Sequence, residues 1–164
     1  QKPAAEMLLP YVQQAWILRQ RYDAVIANPP YMGSKYQAPA VKKYLKDSYK
    51  GYEKDLFSAF IIRNLALARE RGQLGFMTPF VWMFISSYEH LRKYLITEKT
   101  ITSLIQLEYS GFDGATVPIC SFTLENAYNP HFKGGYVRLS DFRGAAQQGP
   151  RALEIIQAAN EVGK

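Results

Sequence analysis

The sequence predicts an α/β fold built on a mostly parallel sheet, with helices on the faces and an antiparallel hairpin at one edge. Three observations predict it. Short apolar runs alternate with segments of helical period, the alternation that parallel strands joined by helical crossovers require. Prolines or glycines bound those runs, as they bound buried strands. The last two strong runs are separated only by the short turn Gly111 to Gly114, too little chain for a crossover helix. Together these make the sheet Rossmann-like. At 164 residues, 48% of them hydrophobic, the chain suits one compact core.

The elements follow in order. Residues 4–20 place Met7, Leu8, Tyr11, Val12, Ala15, Trp16 and Leu18 at near-helical spacing, with Pro10 expected to end or kink the helix near its start. Tyr22 to Ala27 reads as a buried strand stopped by Pro29 and Pro30. Pro39 suits the opening of a helix in the polar stretch that follows. Asp55 is an N-cap for a helix in which Phe57, Phe60, Ile61, Asn64, Leu65 and Ala68 recur up to Gly72. Leu74 to Met77 is a second strand, and Ser86 with Glu89 forms a capping box for a helix through Leu95. Thr100 to Leu107, Val117 to Leu124 and Gly135 to Leu139 complete the strands. Residues 1–143 are expected to form the domain and 144–164 a linker or helix toward a following one. The chain opens on Gln1 without a Met, so it reads as an excerpt of a longer polypeptide.

Composition narrows the function. The formal charge of +6 leans toward a polyanionic partner. No apolar run approaches a bilayer span and no secretory signal is present, so a cytoplasmic chain with no membrane partner is expected. Cys120 alone makes no internal disulfide, and His90 and His131 have no metal-ligand spacing, so no metal is expected.

The tetrapeptide Asn28, Pro29, Pro30, Tyr31 carries the chemistry. It sits at the carboxyl end of the first buried strand, where ligands bind in open α/β sheets. The segment YDAVIANPPY, Tyr22 to Tyr31, resembles the catalytic motif of the amino-methyltransferases that use S-adenosylmethionine, above all the N6-adenine DNA methyltransferases. DLFSAF, Asp55 to Phe60, resembles the helix start whose aromatic packs on the cofactor's adenine, at Phe60. SGFDGATVPICSFTL, Ser110 to Leu124, resembles the segment whose loop phenylalanine, here Phe112, stacks on the target base. Spacing and the Lys-rich insertion are similar to the methyltransferases of BREX phage-defence systems and of type IIG restriction enzymes, over roughly residues 20–140. The resemblance implies a Rossmann-like methyltransferase sheet, methyl transfer from S-adenosylmethionine to a flipped adenine, and cofactor contacts at Asn28, Pro30 and Phe60.

Elementary chemistry agrees with the motif. An exocyclic adenine amine is a poor nucleophile because its lone pair is delocalised into the ring. The Asn28 side-chain oxygen and the Pro29 carbonyl, fixed by consecutive prolines, can accept both amine hydrogens and draw that density back. The remaining step is an in-line displacement that needs positioning rather than a metal. A base must leave the duplex to reach such a site, and Tyr31 with Phe112 suits a clamp on its two faces.

Between Met32 and Lys54 lie Lys35, Lys42, Lys43, Lys46, Lys50 and Lys54 against Asp47 and Glu53, which is four of the chain's six net charges, interleaved with Tyr36, Tyr44, Tyr49 and Tyr52. Lysines with neighbouring aromatics suit a nucleic-acid groove, so Lys35, Lys42, Lys43 and Lys46 are expected to contact double-stranded DNA. Two other functions fit the motif: an NPPY-type methyltransferase acting on protein glutamine or RNA guanine, and a non-catalytic DNA-binding module.

No Gly-x-Gly is present, so the glycine-rich cofactor loop and the ribose-binding acid are expected on strands that this sequence does not hold. The outer edge of the Asn28 strand would then be exposed and could drive a homodimer of the chain. The 164-residue chain alone is therefore expected to be inactive and not to bind S-adenosylmethionine at micromolar concentration. Calorimetric titration checks this, and a dissociation constant near 10 µM or tighter overturns it.

Overall fold

A computed structural model describes residues 2–109 and 117–162. The elements are α1 (Lys2–Arg19), β1 (Tyr22–Ala27), α2 (Pro39–Ser48), α3 (Leu56–Leu67), β2 (Ala68–Pro79), α4 (Glu89–Glu98), β3 (Thr100–Gln106), β4 (Ile119–Glu125), β5 (Gly135–Arg138) and α5 (Ala145–Val162). Two 3₁₀ turns, Phe80–Met83 and Ser86–Tyr88, lead from β2 into α4.

The five strands lie in the order β1-β2-β4-β3-β5. β1 runs parallel to β2 and β3 parallel to β5, while β4 is antiparallel to both β2 and β3. Four strands thus share a direction and one is reversed, as expected of a mostly parallel sheet. The reversed strand is not at an edge, however. β4 sits in the centre, between β2 and β3, and the edges are β1 and β5.

Alternation explains which side is buried. Leu74, Phe76, Leu104, Phe122 and Leu124 point to one face and meet Phe57, Ile61 and Leu65 of α3 and Leu91 and Leu95 of α4 in a single cluster. Phe122 lies at its middle, with ring centroids 5.3 Å from Phe76 and 5.1 Å from Trp82. The opposite face carries Gly75, Ser103, Ser121 and Thr123, and its Ile26 is 86% exposed. The helical cover of the core thus lies on one face.

Local expectations are met in part. Pro39 stands at the start of α2, and Asp55 caps α3 by accepting from the Phe57 amide at 3.3 Å. Pro10 does not stop α1, which continues to Arg19. Glu6, whose carbonyl loses its helical donor to the proline, is solvent-exposed, so the lost bond leaves no buried orphan. Ser86 forms no capping box, because the chain makes a 3₁₀ turn first and α4 begins at Glu89 without a side-chain cap. Arg92 instead fastens the 3₁₀ turns to α4, its guanidinium donating to the carbonyls of Trp82 at 2.8 Å and Ile85 at 2.6 Å.

The helix expected to reach Gly72 ends at Leu67. A distant side chain ends it. The Asn126 amide nitrogen lies 3.2 Å from the carbonyls of Leu65 and Ala68 and 3.0 Å from that of Arg69. Beyond it Arg71 takes φ of 60°, and a Cβ on Gly72 would meet backbone oxygens of Arg69 and Tyr22 at 3.0 and 3.1 Å. The strand register slips there: Tyr22 pairs with Ala68 but Ala24 with Gln73. Asn126→Ala is expected to cost about 1–3 kcal/mol, because three carbonyls lose a donor, and to lower the melting temperature by about 2–4 °C per kcal/mol. Calorimetric melting checks this, and an unchanged transition removes Asn126 as the element that ends α3.

Candidate functional site

β1 delivers Ala27 at the sheet edge, and the chain leaves as Asn28, Pro29, Pro30, Tyr31. The two prolines fix the backbone and cannot extend the strand. Pro29 is buried while Asn28 and Pro30 are exposed, so the asparagine amide faces solvent from a rigid support. The Tyr31 hydroxyl lies 3.1 Å from the Asn28 side-chain oxygen and 3.1 Å from the Met77 carbonyl on β2. Burial, then the neighbouring Cys120, pushes the Tyr31 phenol above its ordinary value of 10.0, so it stays protonated and shares its one hydrogen between these two acceptors. A carbonyl oxygen has two lone pairs, so Asn28 keeps an acceptor site for a ligand while Tyr31 orients it. This orienting role of the hydroxyl is additional to the stacking role expected of the ring.

The loop after the motif is fastened by Asp55. Its carboxylate accepts from the Met32 amide at 2.9 Å and from the Phe57 amide, joining the motif's exit to the start of α3. Gly33 and Asp55 form an isolated antiparallel bridge, with Ser34 N donating to Lys54 O and Leu56 N to Met32 O, both at 3.3 Å. Burial raises the Asp55 carboxyl from its ordinary 3.8, offset in part by the amides of Met32, Phe57 and Leu56.

The lysines divide. Lys42 and Lys46, four apart on α2, line an open cleft of about 930 Å³ together with Lys50 and Lys54. Lys43 is instead ion-paired with Asp47, and Lys35 lies over the Tyr36 ring, 5.7 Å from its centroid. Sequence reasoning did not select the cleft's other lining residues, Ser34, Gly51, Ser86, Ser87 and His90. The repeated four-residue step from Lys42 to Lys54 was the available signal. Phe60, 38% exposed, lines a separate apolar pocket of about 270 Å³ between α2 and α3, in which Asn64 has a buried amide nitrogen without a partner. Phe112 lies outside the described residues. Cys120 is buried and its thiol pushed up to about 11, mainly by that burial, which suits a packing role.

The sheet, with its one reversed strand, and the exposed asparagine at a strand's carboxyl end define a methyltransferase-like α/β domain. A solved structure of a putative class I S-adenosylmethionine-dependent methyltransferase from Listeria monocytogenes superposes with a TM-score of 0.59 at 19% identity, over 83% of this chain and 42% of that one. The chain belongs to the Eco57I restriction-modification methylase family, whose model matches residues 6–112. It is 40% identical over 144 residues to the adenine-specific methyltransferase BrxX of Escherichia coli, covering 86% of this chain. It is 30% identical over 146 residues to the adenine-specific methyltransferase PglX of Lacticaseibacillus casei, covering 87% of this chain. The chain spans 12% of the length of each of these two relatives.

Asp55→Ala is expected to cost about 1–2 kcal/mol through the lost cap. Asp55→Asn keeps an acceptor without the charge. Folding penalises the ionised Asp55, because its carboxyl is raised, so the penalty holds at neutral pH and is relieved as pH falls toward 3.8. The stability of the wild type relative to Asp55→Asn is therefore expected to rise as pH is lowered, and thermal unfolding of both across that range checks the sign. A relative stability that falls would show the amide bonds outweighing burial.

Proposed function

We propose that this chain carries the amine-activating part of an S-adenosylmethionine-dependent DNA adenine N6-methyltransferase of phage defence or restriction-modification, acting in the cytoplasm. One observation carries the reading: an exposed asparagine, its side-chain oxygen held by Tyr31, on a buried proline at the carboxyl end of an edge strand. The names of BrxX and PglX, both adenine-specific methyltransferases, support adenine as the substrate.

In this reading the Asn28 oxygen and the Pro29 carbonyl accept the two hydrogens of the exocyclic amine, which favours a tetrahedral nitrogen with its lone pair available. When bound, S-adenosylmethionine supplies an electrophilic methyl group on a sulfonium. In-line transfer would form the N–CH3 bond as the S–CH3 bond breaks, its electron pair returning to sulfur to leave a neutral thioether, and the surplus amine proton would pass to solvent; the part of Asn28 and Pro29 is to hold the nitrogen. Tyr31 orients Asn28 and, with Phe112, stacks on the flipped base. The apolar pocket at Phe60, with the orphaned Asn64 donor, suits a flat heteroaromatic ring that bears acceptor nitrogens, as the cofactor's adenine does. Asn28 and Pro30 belong to the methyl end of the cofactor in this reading, and Lys42 and Lys46 to DNA.

Asn28→Ala in the full-length protein is expected to lower methyl transfer to duplex DNA at least a hundredfold, leaving DNA affinity within about threefold. Radiolabelled methyl incorporation and a binding titration check the two parts. Transfer within about threefold of wild type would make Asn28 a turn residue and sink the mechanism.

A further inference from the structure

We propose that the cleft between the α2 segment and the start of α4 is a seat for the phosphodiester backbone of DNA, and that its working residues are Lys42, Lys46, Lys50 and Lys54 rather than the whole lysine run. The inference rests on the DNA reading above and deepens it, by committing to one face and one set of contacts.

The spacing comes first. Lys42 and Lys46 lie one helical step of four apart, which puts both on one side of α2 about 6 Å apart along its axis. After α2 ends at Ser48, the same step continues to Lys50 and Lys54, and all four ammonium-bearing side chains line one cleft. The positive φ of Gly51, 91°, makes this continuation possible. A Cβ there would lie 3.5 Å from the His90 ring, so the imidazole at the start of α4 backs the turn between Lys50 and Lys54.

The charges are also unspent. Lys43 does not line the cleft and has Asp47, whereas none of the four cleft lysines has a carboxylate within ion-pair distance among the described residues. Two acids do line the cleft, Glu53 and Glu89, but Glu53 accepts from the Gly51 amide and so serves the turn. Four exposed ammonium groups facing one space repel one another, and a row of phosphates relieves that repulsion while releasing counterions. Ser86 and Ser87, in the 3₁₀ turn before α4, add hydroxyl donors on the facing wall.

The cleft is also attached to the chemistry. Ser34 lines it three residues beyond Tyr31, and its amide donates to the Lys54 carbonyl. The Asp55 staple holds that same junction. A backbone held here is fixed relative to Asn28 by a few hydrogen bonds instead of a free loop, which suits positioning of the strand that flanks an extruded base.

The test compares four forms of the full-length protein on a duplex DNA: wild type, the quadruple variant K42Q/K46Q/K50Q/K54Q, the same four positions changed to Arg, and Lys43→Gln. Fluorescence anisotropy over 50–200 mM salt gives the slope of log affinity against log salt. Four phosphate contacts correspond to a slope about 3–4 shallower in the Gln variant, so wild type should lose about a hundredfold more affinity across that range than the variant does. The Arg variant should keep the wild-type slope, and Lys43→Gln should leave it unchanged. A quadruple Gln variant with the wild-type slope overturns the proposal, as does a Lys43→Gln variant whose slope is about 0.9 shallower, the share of one phosphate contact. Methylation by the wild type is read separately. If the wild type transfers methyl groups to DNA but the slopes do not differ, the cleft assignment alone fails. If slopes differ and no methyl transfer to DNA occurs, the catalytic reading fails and the cleft stands.

Discussion

The rest of the structure depends on β4 being hydrogen-bonded on both sides. As the central strand it holds β2 through seven paired positions from Gln73 to Pro79, and β3 on its other flank. Its inward residues, Cys120, Phe122 and Leu124, are essentially inaccessible, and α3 and α4 find their apolar partners around them. Burying a phenylalanine or leucine this fully is worth about 1.5–3 kcal/mol each, so the centre of the sheet dominates the core's stability. β1, which leads into the Asn28 corner, is paired in the sheet with β2 alone. The site therefore inherits its rigidity from a neighbour: Tyr31 reaches the Met77 carbonyl, and Met77 is clamped to Ser121 of β4.

Electrostatics and backbone geometry divide the segment from Met32 to Asp55 between two tasks. Its ends are joined by hydrogen bonds centred on Asp55, where the donating amides offset in part the loss of solvation that raises that carboxyl. Its middle keeps its charge in water, where lysines are inexpensive to expose. An insertion that is anchored at both ends and charged in between can present ammonium groups without moving relative to the motif it leaves. A free loop of the same composition would attract an anion equally well but would not fix where it lies.

Much of this was legible in local sequence because the decisive forces were local. Two prolines after an apolar hexapeptide mark the end of β1 whatever surrounds it, Pro39 opens α2, and Asp55 caps α3 with its own neighbours' amides. What failed depended on residues far along the chain. The end of α3 is set by Asn126, about sixty positions later, and helical periodicity cannot register a carbonyl acceptor being taken from outside. The interior place of β4 follows from pairing choices between strands, to which the spacing of apolar runs is blind. Side-chain orientation was legible only in part: Asp47 at the helical step from Lys43 signals their ion pair, while the Lys35 contact with Tyr36 carries no distinctive pattern.

The same locality separates two kinds of exposed surface. α1 leaves Met7, Tyr11, Val12 and Trp16 more than 60% exposed, and Ile26 on the open face of the sheet is 86% exposed, so this part of the surface is apolar on a scale that water disfavours at about 25 cal/mol per Å². The lysine cleft is the opposite case: its groups are well solvated and repel one another only because the fold gathers them. Apolar surface lowers its free energy by meeting any closely fitting apolar surface, whereas gathered ammonium groups gain from negative charge brought among them. Asn28 is of neither kind, being neutral, solvent-facing and held by a single phenol. A rigid neutral acceptor attracts few ligands by itself, so in the proposed function selectivity for what reaches it falls to the charged cleft that shares its loop, and the chemistry to the asparagine.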